Sequence, residues 1–250
     1  MSNAAAAWPY PRWIAHRGAG KLAPENTLAA FRLGAAFGYR AFECDVKLSA
    51  DGVPFLLHDA TLDRTSDGEG PVSGTPWSEL VLADAGGWHS RQFAGEPMPS
   101  LAAVAAFILA NDFVINLEIK PTPGTDAATG AAVAELASVL WAGDVTPPLL
   151  SSFNAEALVA ARRVAPHLPR ALLLDSPRTD WLDEAAELGC VAVVTNHRWM
   201  DEKYLLAARA AGLRTMVYTV NEASDAERLL ALGIDNIITD AVDLFSPAQA

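Results

Sequence analysis

The sequence has few cysteines and few basic residues, and each shortage excludes a class of protein. Its two cysteines, Cys44 and Cys190, stand far apart and outside any Cys-x-x-Cys pattern. This excludes a disulfide framework and predicts a reducing compartment. Only 18 Lys and Arg oppose 30 Asp and Glu, giving a formal net charge of -12. Because nucleic acids repel such a chain, we expect no nucleic-acid partner.

Long apolar runs are also missing. The most apolar window, at residues 101–110, is too short to cross a membrane, so it predicts a buried helix. No basic amphipathic stretch is present that would bind an anionic membrane surface. The segment before Trp13 has neither the basic start nor the apolar length of a secretory signal. We therefore expect a cytoplasmic protein without a membrane partner, while the oligomeric state stays open.

What the sequence does contain is a regular alternation of strand-like and helix-like segments. Strands are predicted near residues 13–16, 41–46, 113–119, 148–152, 170–174, 190–194, 213–219 and 236–239. Helices are predicted near residues 26–38, 100–111, 127–141, 154–165, 179–188, 200–211 and 222–232. Eight strand–helix units favour a closed parallel TIM (β/α)8 barrel that forms one domain over residues 1–250. No G-x-G-x-x-G follows a strand, which weakens a dinucleotide-binding alternative.

One segment breaks this alternation. Residues 54–99 hold an extra strand at 54–57 and then a stretch rich in Gly, Pro, Asp and Ser. That is too long for a simple loop, so we expect an insertion after the second strand that covers the barrel mouth. At two other points, Asn26 and Asn154 are predicted to cap the helices that follow them.

Polar side chains stand at or just past the ends of the first predicted strands, where a parallel barrel builds its active mouth. Glu43 and Asp45 are two apart on a strand, so both point the same way while Cys44 points the other. Glu118 ends the neighbouring strand. Three converging carboxylates suit a hard divalent cation, Mg²⁺ or Ca²⁺, with Mn²⁺ or Co²⁺ as further candidates. The alternative is a set of solvated surface acids.

Two histidines and two cations complete the candidate site. His16 ends the first strand with Arg17 directly after it, and a guanidinium there is suited to clamp a phosphate. His58 ends the extra strand. A pair of imidazoles beside a metal indicates acid–base chemistry, although either histidine taken alone fits a structural role equally well. Lys120 shares the face of Glu118, so it fits either a salt bridge or a phosphate contact.

The last two strands also end in polar residues, Tyr218 and Asp240. Tyr218 ends the seventh strand, where its ring fits substrate packing as well as it fits the barrel core.

Ser151 and Ser152 lack the G-x-S-x-G turn, so a serine nucleophile is not expected.

Several motifs in order resemble those of the glycerophosphodiester phosphodiesterase family. They are His16-Arg17-Gly18, Pro24-Glu25-Asn26-Thr27, Glu43-Cys44-Asp45, His58-Asp59, Glu118-Ile119-Lys120, Tyr218-Thr219-Val220-Asn221 and residues 233–240. Together they cover the whole chain. The segments at 8–12, 141–143 and 146–153 look most similar to the cytosolic bacterial members associated with glycerol-3-phosphate uptake. Position 218 departs mildly, since many members carry Trp there.

The resemblance implies metal-dependent hydrolysis of glycerophosphodiesters to sn-glycerol 3-phosphate and an alcohol on a TIM barrel. It implies a divalent cation on Glu43, Asp45 and Glu118, with catalysis by His16 and His58. It leaves open which histidine is the acid, whether water or the substrate's 2-hydroxyl attacks, and which head group is preferred. Two alternatives remain: a phospholipase C- or D-like enzyme on intact lipids, and a non-catalytic module that binds phosphorylated metabolites.

Overall fold

The structure is a computed structural model that describes residues 8–143 and 145–247. The expectation that the first residues form no secretory signal therefore lies largely outside the described residues. In the described part, nine strands form one sheet: β1 (Trp13–Ala15), β2 (Ala41–Leu48), β3 (Pro54–Leu56), β4 (Val114–Ile119), β5 (Leu149–Ser152), β6 (Arg170–Leu174), β7 (Ala192–Asn196), β8 (Arg214–Tyr218) and β9 (Asn236–Thr239).

The sheet closes into a parallel barrel of eight strands. Its order is β1-β9-β8-β7-β6-β5-β4-β2, and β1 also pairs with β2, which completes the ring. All eight strands run parallel to their neighbours, whereas β3 pairs antiparallel with β2 outside the ring. The predicted TIM barrel with an extra strand after the second barrel strand is confirmed. The carboxyl ends of all eight strands consequently meet at one rim.

Eight α-helices occur in the described residues. They are α1 (Leu28–Ala36), α2 (Trp77–Leu80), α3 (Leu101–Ala110), α4 (Asp126–Leu140), α5 (Ala155–Val164), α6 (Trp181–Glu187), α7 (Glu202–Ala210) and α8 (Ala223–Leu232). The short α2 was not expected, because four residues are too few to show a helical period. Within the described residues, no helix has both the length and the apolar character that crossing a membrane would require.

The two cap predictions had different outcomes. Asn154 caps α5 as expected, since its side chain accepts a hydrogen bond from Ala157 N. The prediction for Asn26 was wrong: Thr27 caps α1 and accepts from Ala30 N. Asn26 is instead held in a left-handed conformation, with φ of 61°, and turns its side chain into the barrel. The helix therefore starts one residue later and leaves Asn26 available to the site.

Strand alternation sorts the barrel residues into two layers. One set of apolar side chains packs inside the ring, including Ile14, Ala41, Leu173, Met216 and Ile238. Their strand neighbours point outward and pack under the helices, as Phe42, Cys44, Ile115 and Leu117 do. Because side chains alternate every two residues, the inward positions above Ile14, Ala41 and Ile238 are His16, Glu43 with Asp45, and Asp240.

The segment between β2 and α3 has a small core of its own. Phe55, Leu57, Leu62, Val72, Leu80, Ala85 and Met98 bury one another there, with Trp77 packed against them. Its backbone is tied to the barrel because Leu57 N donates to Asp45 O at 3.1 Å. This bond holds Leu57, the residue before His58, directly beside Asp45 of β2.

Candidate active site

A cavity of about 220 Å³ opens at the carboxyl-end rim of the barrel. Its lining consists of His16, Arg17, Glu43, His58, Asn116, Glu118, Lys120, Phe153, Leu173, Tyr218, Thr219 and Ile238. Seven of the eight residues singled out in the sequence therefore lie on one cavity. The eighth, Asp45, is fully buried beside Glu43 and Glu118. Their spacing along the chain, from 16 to 218, shows that the barrel rather than local sequence brings them together.

The three carboxylates converge. One oxygen each from Glu43, Asp45 and Glu118 lies within 4.8 Å of the other two. Strand register explains this, because Asp45 on β2 stands directly opposite Glu118 on β4 and Glu43 lies two residues below. All three residues are at least nine-tenths buried. Such crowding of like charges away from water is unfavourable unless a cation lies among them.

The electrostatics of the cluster favour a positive charge placed among the three carboxylates. Burial, together with Asp45 and Glu118, raises the pKa of Glu43 to about 8. Burial and Asp45 also raise the pKa of Glu118. Glu43 Oε1 is buried and accepts no hydrogen bond from the described part of the chain. An orphaned carboxylate oxygen beside two further carboxylates is the donor set that a hard divalent cation requires.

Asp45 differs from its two neighbours because it is already paired with cations. Burial alone would raise the pKa of this carboxyl, but Arg17 and Lys120 outweigh burial and hold the pKa well below its usual range. Arg17 Nε lies 3.0 Å from Asp45 Oδ2, and Lys120 Nζ lies 3.2 Å from Oδ1. Asn26 adds a hydrogen bond from Nδ2 to Oδ2 at 2.9 Å. Asp45 thus remains ionised in the protein interior.

Arg17 sits on a strained turn at the end of β1. Its φ of 50° is unusual for a residue with a side chain, and the following Gly18 has φ of 100°. At Gly18 a Cβ would approach Ala30 Cβ to 2.7 Å, so the turn packs directly on α1. The turn aims the Arg17 backbone N–H at Glu43 Oε2, at 3.1 Å, while the side chain reaches Glu25 and Asp45. The strain is therefore matched by several polar contacts at the cavity.

Lys120 supplies the second cation of the rim. Its ammonium donates to Glu118 Oε1 at 2.7 Å and lies 3.2 Å from Asp45 Oδ1. The side chain is still about a quarter exposed, so it can also reach a molecule in the cavity. The salt-bridge and phosphate-contact interpretations of Lys120 are consequently compatible.

Each histidine of the cavity is held by a carboxylate at the same ring atom. Asp240 Oδ1 lies 2.6 Å from His16 Nδ1, and Asp59 Oδ1 lies 2.6 Å from His58 Nδ1. Because Nδ1 is engaged in both rings, Nε2 is the atom left for proton transfer at the cavity. His16 Nε2 also lies 3.7 Å from Glu43 Oε2.

The two histidines differ in environment. Burial would lower the pKa of His16, but the bond to Asp240 and the charge of Glu43 outweigh it and raise that pKa. For His58, burial lowers the pKa, and the cations Arg17 and Lys120 act in the same direction. Two imidazoles with oppositely displaced pKa values are suited to opposite halves of an acid–base reaction.

Aromatic side chains form one wall of the cavity. Tyr218 and Phe153 stand edge to face, with ring centroids 5.9 Å apart. The Tyr218 hydroxyl donates to Leu174 O at 3.0 Å, so the polar tip of this side chain already has a partner. The wall therefore offers carbon surface to a substrate rather than a charged contact.

Several residues that support the site are not predicted from the sequence. Asp240 was seen only as the residue ending the last strand, although His16 at the matching end of β1 was a candidate partner once the barrel closed. Glu25 and Arg64 were given no role, and Asn26 was assigned to a helix cap. For Arg64 no local pattern was available, because it lies in the irregular insertion and its contacts depend on the tertiary fold.

Together, hard oxygen ligands, two imidazoles and two cations at the rim of a TIM barrel define a metal-assisted hydrolase of anionic esters. Comparison with known proteins specifies the class further. The chain belongs to the Glycerophosphoryl diester phosphodiesterase family, whose family model matches residues 16–244.

Curated and solved relatives agree with this assignment. A glycerophosphodiester phosphodiesterase of Caldanaerobacter subterraneus subsp. tengcongensis is 33% identical, covering 91% of this chain and 93% of the relative. The structure of an Oleispira antarctica phosphodiesterase in complex with the product sn-glycerol-3-phosphate has a TM-score of 0.91 and 34% identity, covering 96% of this chain and 98% of that one. A glycerophosphodiester phosphodiesterase from Agrobacterium tumefaciens has a TM-score of 0.77 and 32% identity, covering 94% and 99%.

Proposed function

We propose that this chain hydrolyses glycerophosphodiesters to sn-glycerol 3-phosphate and an alcohol, with a divalent cation on Glu43, Asp45 and Glu118. Family membership supports the reaction, and the Oleispira antarctica relative supports the product. The observation that carries the metal is the buried trio of carboxylates with an orphaned oxygen on Glu43. Six to eight oxygen ligands suit Ca²⁺ and six suit Mg²⁺, so the substrate and water would complete either shell.

When bound, the cation would supply Lewis-acid stabilisation of the negative charge that builds on the phosphoryl oxygens. The rest of the phosphate would be held by Arg17 and Lys120. Both side chains line the cavity and already contact the carboxylate cluster, so they are fixed before the substrate arrives. Preorganised cations of this kind stabilise a transition state without reorganisation during the reaction.

His16 and His58 are proposed as the acid–base pair. One Nε2 takes the proton of the attacking hydroxyl, and the other gives a proton to the leaving alcohol oxygen. Asp240 and Asp59 support these roles because each holds Nδ1 and so fixes the ring's orientation and tautomer. The attacking oxygen belongs either to water or to the 2-hydroxyl of the substrate's glycerol. In the second case the alcohol leaves and a cyclic phosphate forms, which water then opens to give sn-glycerol 3-phosphate.

The substrate is proposed to be a small glycerophosphodiester with a loosely recognised head group. The cavity of about 220 Å³ suits glycerol and phosphate, with Tyr218 packed against the carbon skeleton. A wider groove of about 530 Å³ shares Glu118, Lys120 and Phe153 with the cavity and offers room for the alcohol. In this groove Asn154 donates to Asp126, so these two polar groups already satisfy each other.

We also propose a domain organisation and a cellular location for the chain. Residues 1–250 are proposed to form one domain with residues 54–99 as its insertion, which the family match over residues 16–244 supports. A cytoplasmic location is proposed because both cysteines, Cys44 and Cys190, are free thiols.

The decisive experiment measures choline release from glycerophosphocholine, with and without EDTA. We expect turnover that EDTA abolishes and that added Mg²⁺, Ca²⁺, Mn²⁺ or Co²⁺ restores. Full activity in chelator-treated protein would overturn the metal proposal. Faster cleavage of intact diacyl phosphatidylcholine would favour a phospholipase, and binding of glycerophosphocholine without turnover would indicate a non-catalytic module.

A further inference from the structure

Arg64 lies in the irregular insertion, outside the cavity lining, yet its guanidinium joins two carboxylates that each hold a site residue. Nε and Nη2 donate to Asp59 Oδ2 and Oδ1 at 2.6 and 2.9 Å. Nη1 and Nη2 donate to Glu25 Oε2 and Oε1 at 2.8 Å each. One guanidinium therefore makes four hydrogen bonds in two bidentate pairs, the strongest geometry this side chain offers.

The oxygens that Nη2 contacts are shared with the site. Asp59 Oδ1 also lies 2.6 Å from His58 Nδ1, and Glu25 Oε1 also accepts from Arg17 Nη1 at 2.8 Å. Nη2 of Arg64 thus donates directly to both carboxylates, the one that holds His58 and the one that holds Arg17. The two site residues lie on different elements, and Arg64 connects them.

From this geometry we propose that Arg64 is a positioning residue, which sets the orientation of both the imidazole of His58 and the guanidinium of Arg17. This inference rests on the proposed function of those two residues. Without Arg64, Asp59 and Glu25 would each keep one partner and gain freedom to rotate. The ring of His58 would then be held less strictly in one orientation, and Arg17 would lose its fixed approach to the phosphate.

An ordinary surface ion pair would not have this effect, because exposed pairs contribute little and are screened by salt. The network around Arg64 is different in two respects. Its carboxylates are mostly covered, with side-chain exposures of 14% for Glu25 and 29% for Asp59. Both pairs are also bidentate, and that geometry constrains direction as well as distance.

The matched control is Arg178, a similarly exposed arginine that also pairs with two carboxylates, Asp180 and Glu184. None of these three residues lines the cavity. We expect Arg64→Gln to lower kcat about tenfold and to raise KM severalfold, since misplaced catalytic groups lose rate without loss of fold. Arg178→Gln should keep both constants within twofold of wild type.

The two arms of the network can be separated with single variants. Asp59→Asn should act mainly on kcat through His58, and Glu25→Gln mainly on KM through Arg17. In the Arg64→Gln background each of these changes should have a much smaller effect than in the wild type, because coupled groups are not additive. Full additivity would overturn the proposal.

Chemical rescue distinguishes positioning from general stability. Arg64→Ala leaves an exposed gap, so millimolar guanidinium chloride should restore part of its lost kcat, whereas methylammonium should restore less. Arg178→Ala should show no response to either ion. Absence of guanidinium rescue in a folded Arg64→Ala protein would contradict a bridging role.

A spectroscopic measurement tests the inference without activity. Long-range ¹H–¹⁵N spectra of the imidazoles should show altered Nδ1 and Nε2 signals for His58 in Arg64→Gln, with those of His16 unchanged as an internal reference. Unchanged His58 signals, or kcat and KM within twofold of wild type, would overturn the role of Arg64. A wild-type protein that hydrolyses no glycerophosphodiester would instead overturn the proposed function, and the His58 signals would still decide the question for Arg64.

Discussion

Replacing Glu43 by Gln should stabilise the protein when no divalent cation is bound. The wild-type carboxyl is buried among Asp45 and Glu118, and its Oε1 accepts no hydrogen bond from the described residues. Glutamine keeps the shape and a carbonyl oxygen that can accept from Arg17 N, as Glu43 Oε2 does at 3.1 Å. It cannot ionise, so the variant removes the cost of holding this buried carboxyl in its protonated form at neutral pH.

The magnitude follows from the displaced pKa. Burial, with the neighbouring carboxylates, raises the pKa of Glu43 from its ordinary 4.5 to about 8. The unfolded chain therefore releases its proton first as pH rises. Folded-state stability then falls between these two values by about 1.4 kcal/mol per pH unit. At pH 7 the wild type should have lost about 3 kcal/mol, whereas at pH 5 the loss should be under about 1 kcal/mol. Glutamine does not titrate, so its contribution is the same at both values.

Urea unfolding in EDTA at pH 5 and pH 7 measures the difference. We expect Glu43→Gln to be more stable than wild type by about 2–3 kcal/mol at pH 7 and nearly equal at pH 5, which corresponds to roughly 4–12 °C in Tm at pH 7. Saturating Mg²⁺ or Ca²⁺ should then stabilise wild type, by about 2.7 kcal/mol at a hundred times Kd, and the variant by less. Equal stabilities in EDTA at both pH values would refute this account of the cluster.

The remaining predictions concern catalysis and selectivity. His16→Ala and His58→Ala should each lower kcat by roughly a hundredfold or more with Tm retained, while His167→Ala, at an exposed position, should match wild type. Near-normal turnover in either folded variant would remove that histidine from the mechanism. Asp240→Asn should lower kcat roughly tenfold or more, because the amide no longer fixes the tautomer of His16; an unchanged pH–rate profile would contradict this. Glycerophosphodiesters with choline, ethanolamine, glycerol or serine head groups should give kcat/KM values within about tenfold of one another, a spread of about 1.4 kcal/mol in transition-state binding. A strong preference for one head group would contradict loose recognition of the alcohol.

Much of the barrel was predictable because its strands are short apolar runs bounded by turn residues. The predicted strand near 41–46 corresponds to β2 at Ala41–Leu48, and the one near 236–239 matches β9. Alternation along β2 also predicted that Glu43 and Asp45 share a face, and the structure places both at the carboxylate cluster. The strands and the shared face of Glu43 and Asp45 follow from the two-residue alternation of side chains along a strand, which is visible in a single sequence.

The N-cap of α1 was predicted wrongly because two neighbouring residues are equally favourable at that position. Asn and Thr are both favourable N-cap residues, so Asn26 and Thr27 could not be ranked from local chemistry. The choice was decided by Asp45, whose buried carboxylate accepts from Asn26 Nδ2 and whose backbone N donates to Asn26 Oδ1. A buried charge needs such partners more than a helix start needs one particular cap.

The two histidines show why the support of a site is harder to predict than its first residues. His58 is held by Asp59, its neighbour in sequence, so the pair is visible in the chain as a dipeptide. His16 is held by Asp240, which is 224 positions away and becomes a neighbour only because β1 pairs with β9 when the barrel closes. The bond is equally short in both cases, so the two pairs differ only in how far apart their residues lie in the sequence. A sequence pattern can therefore indicate the histidine that reacts, whereas the carboxylate that orients His16 is identified only when the strands close into a ring.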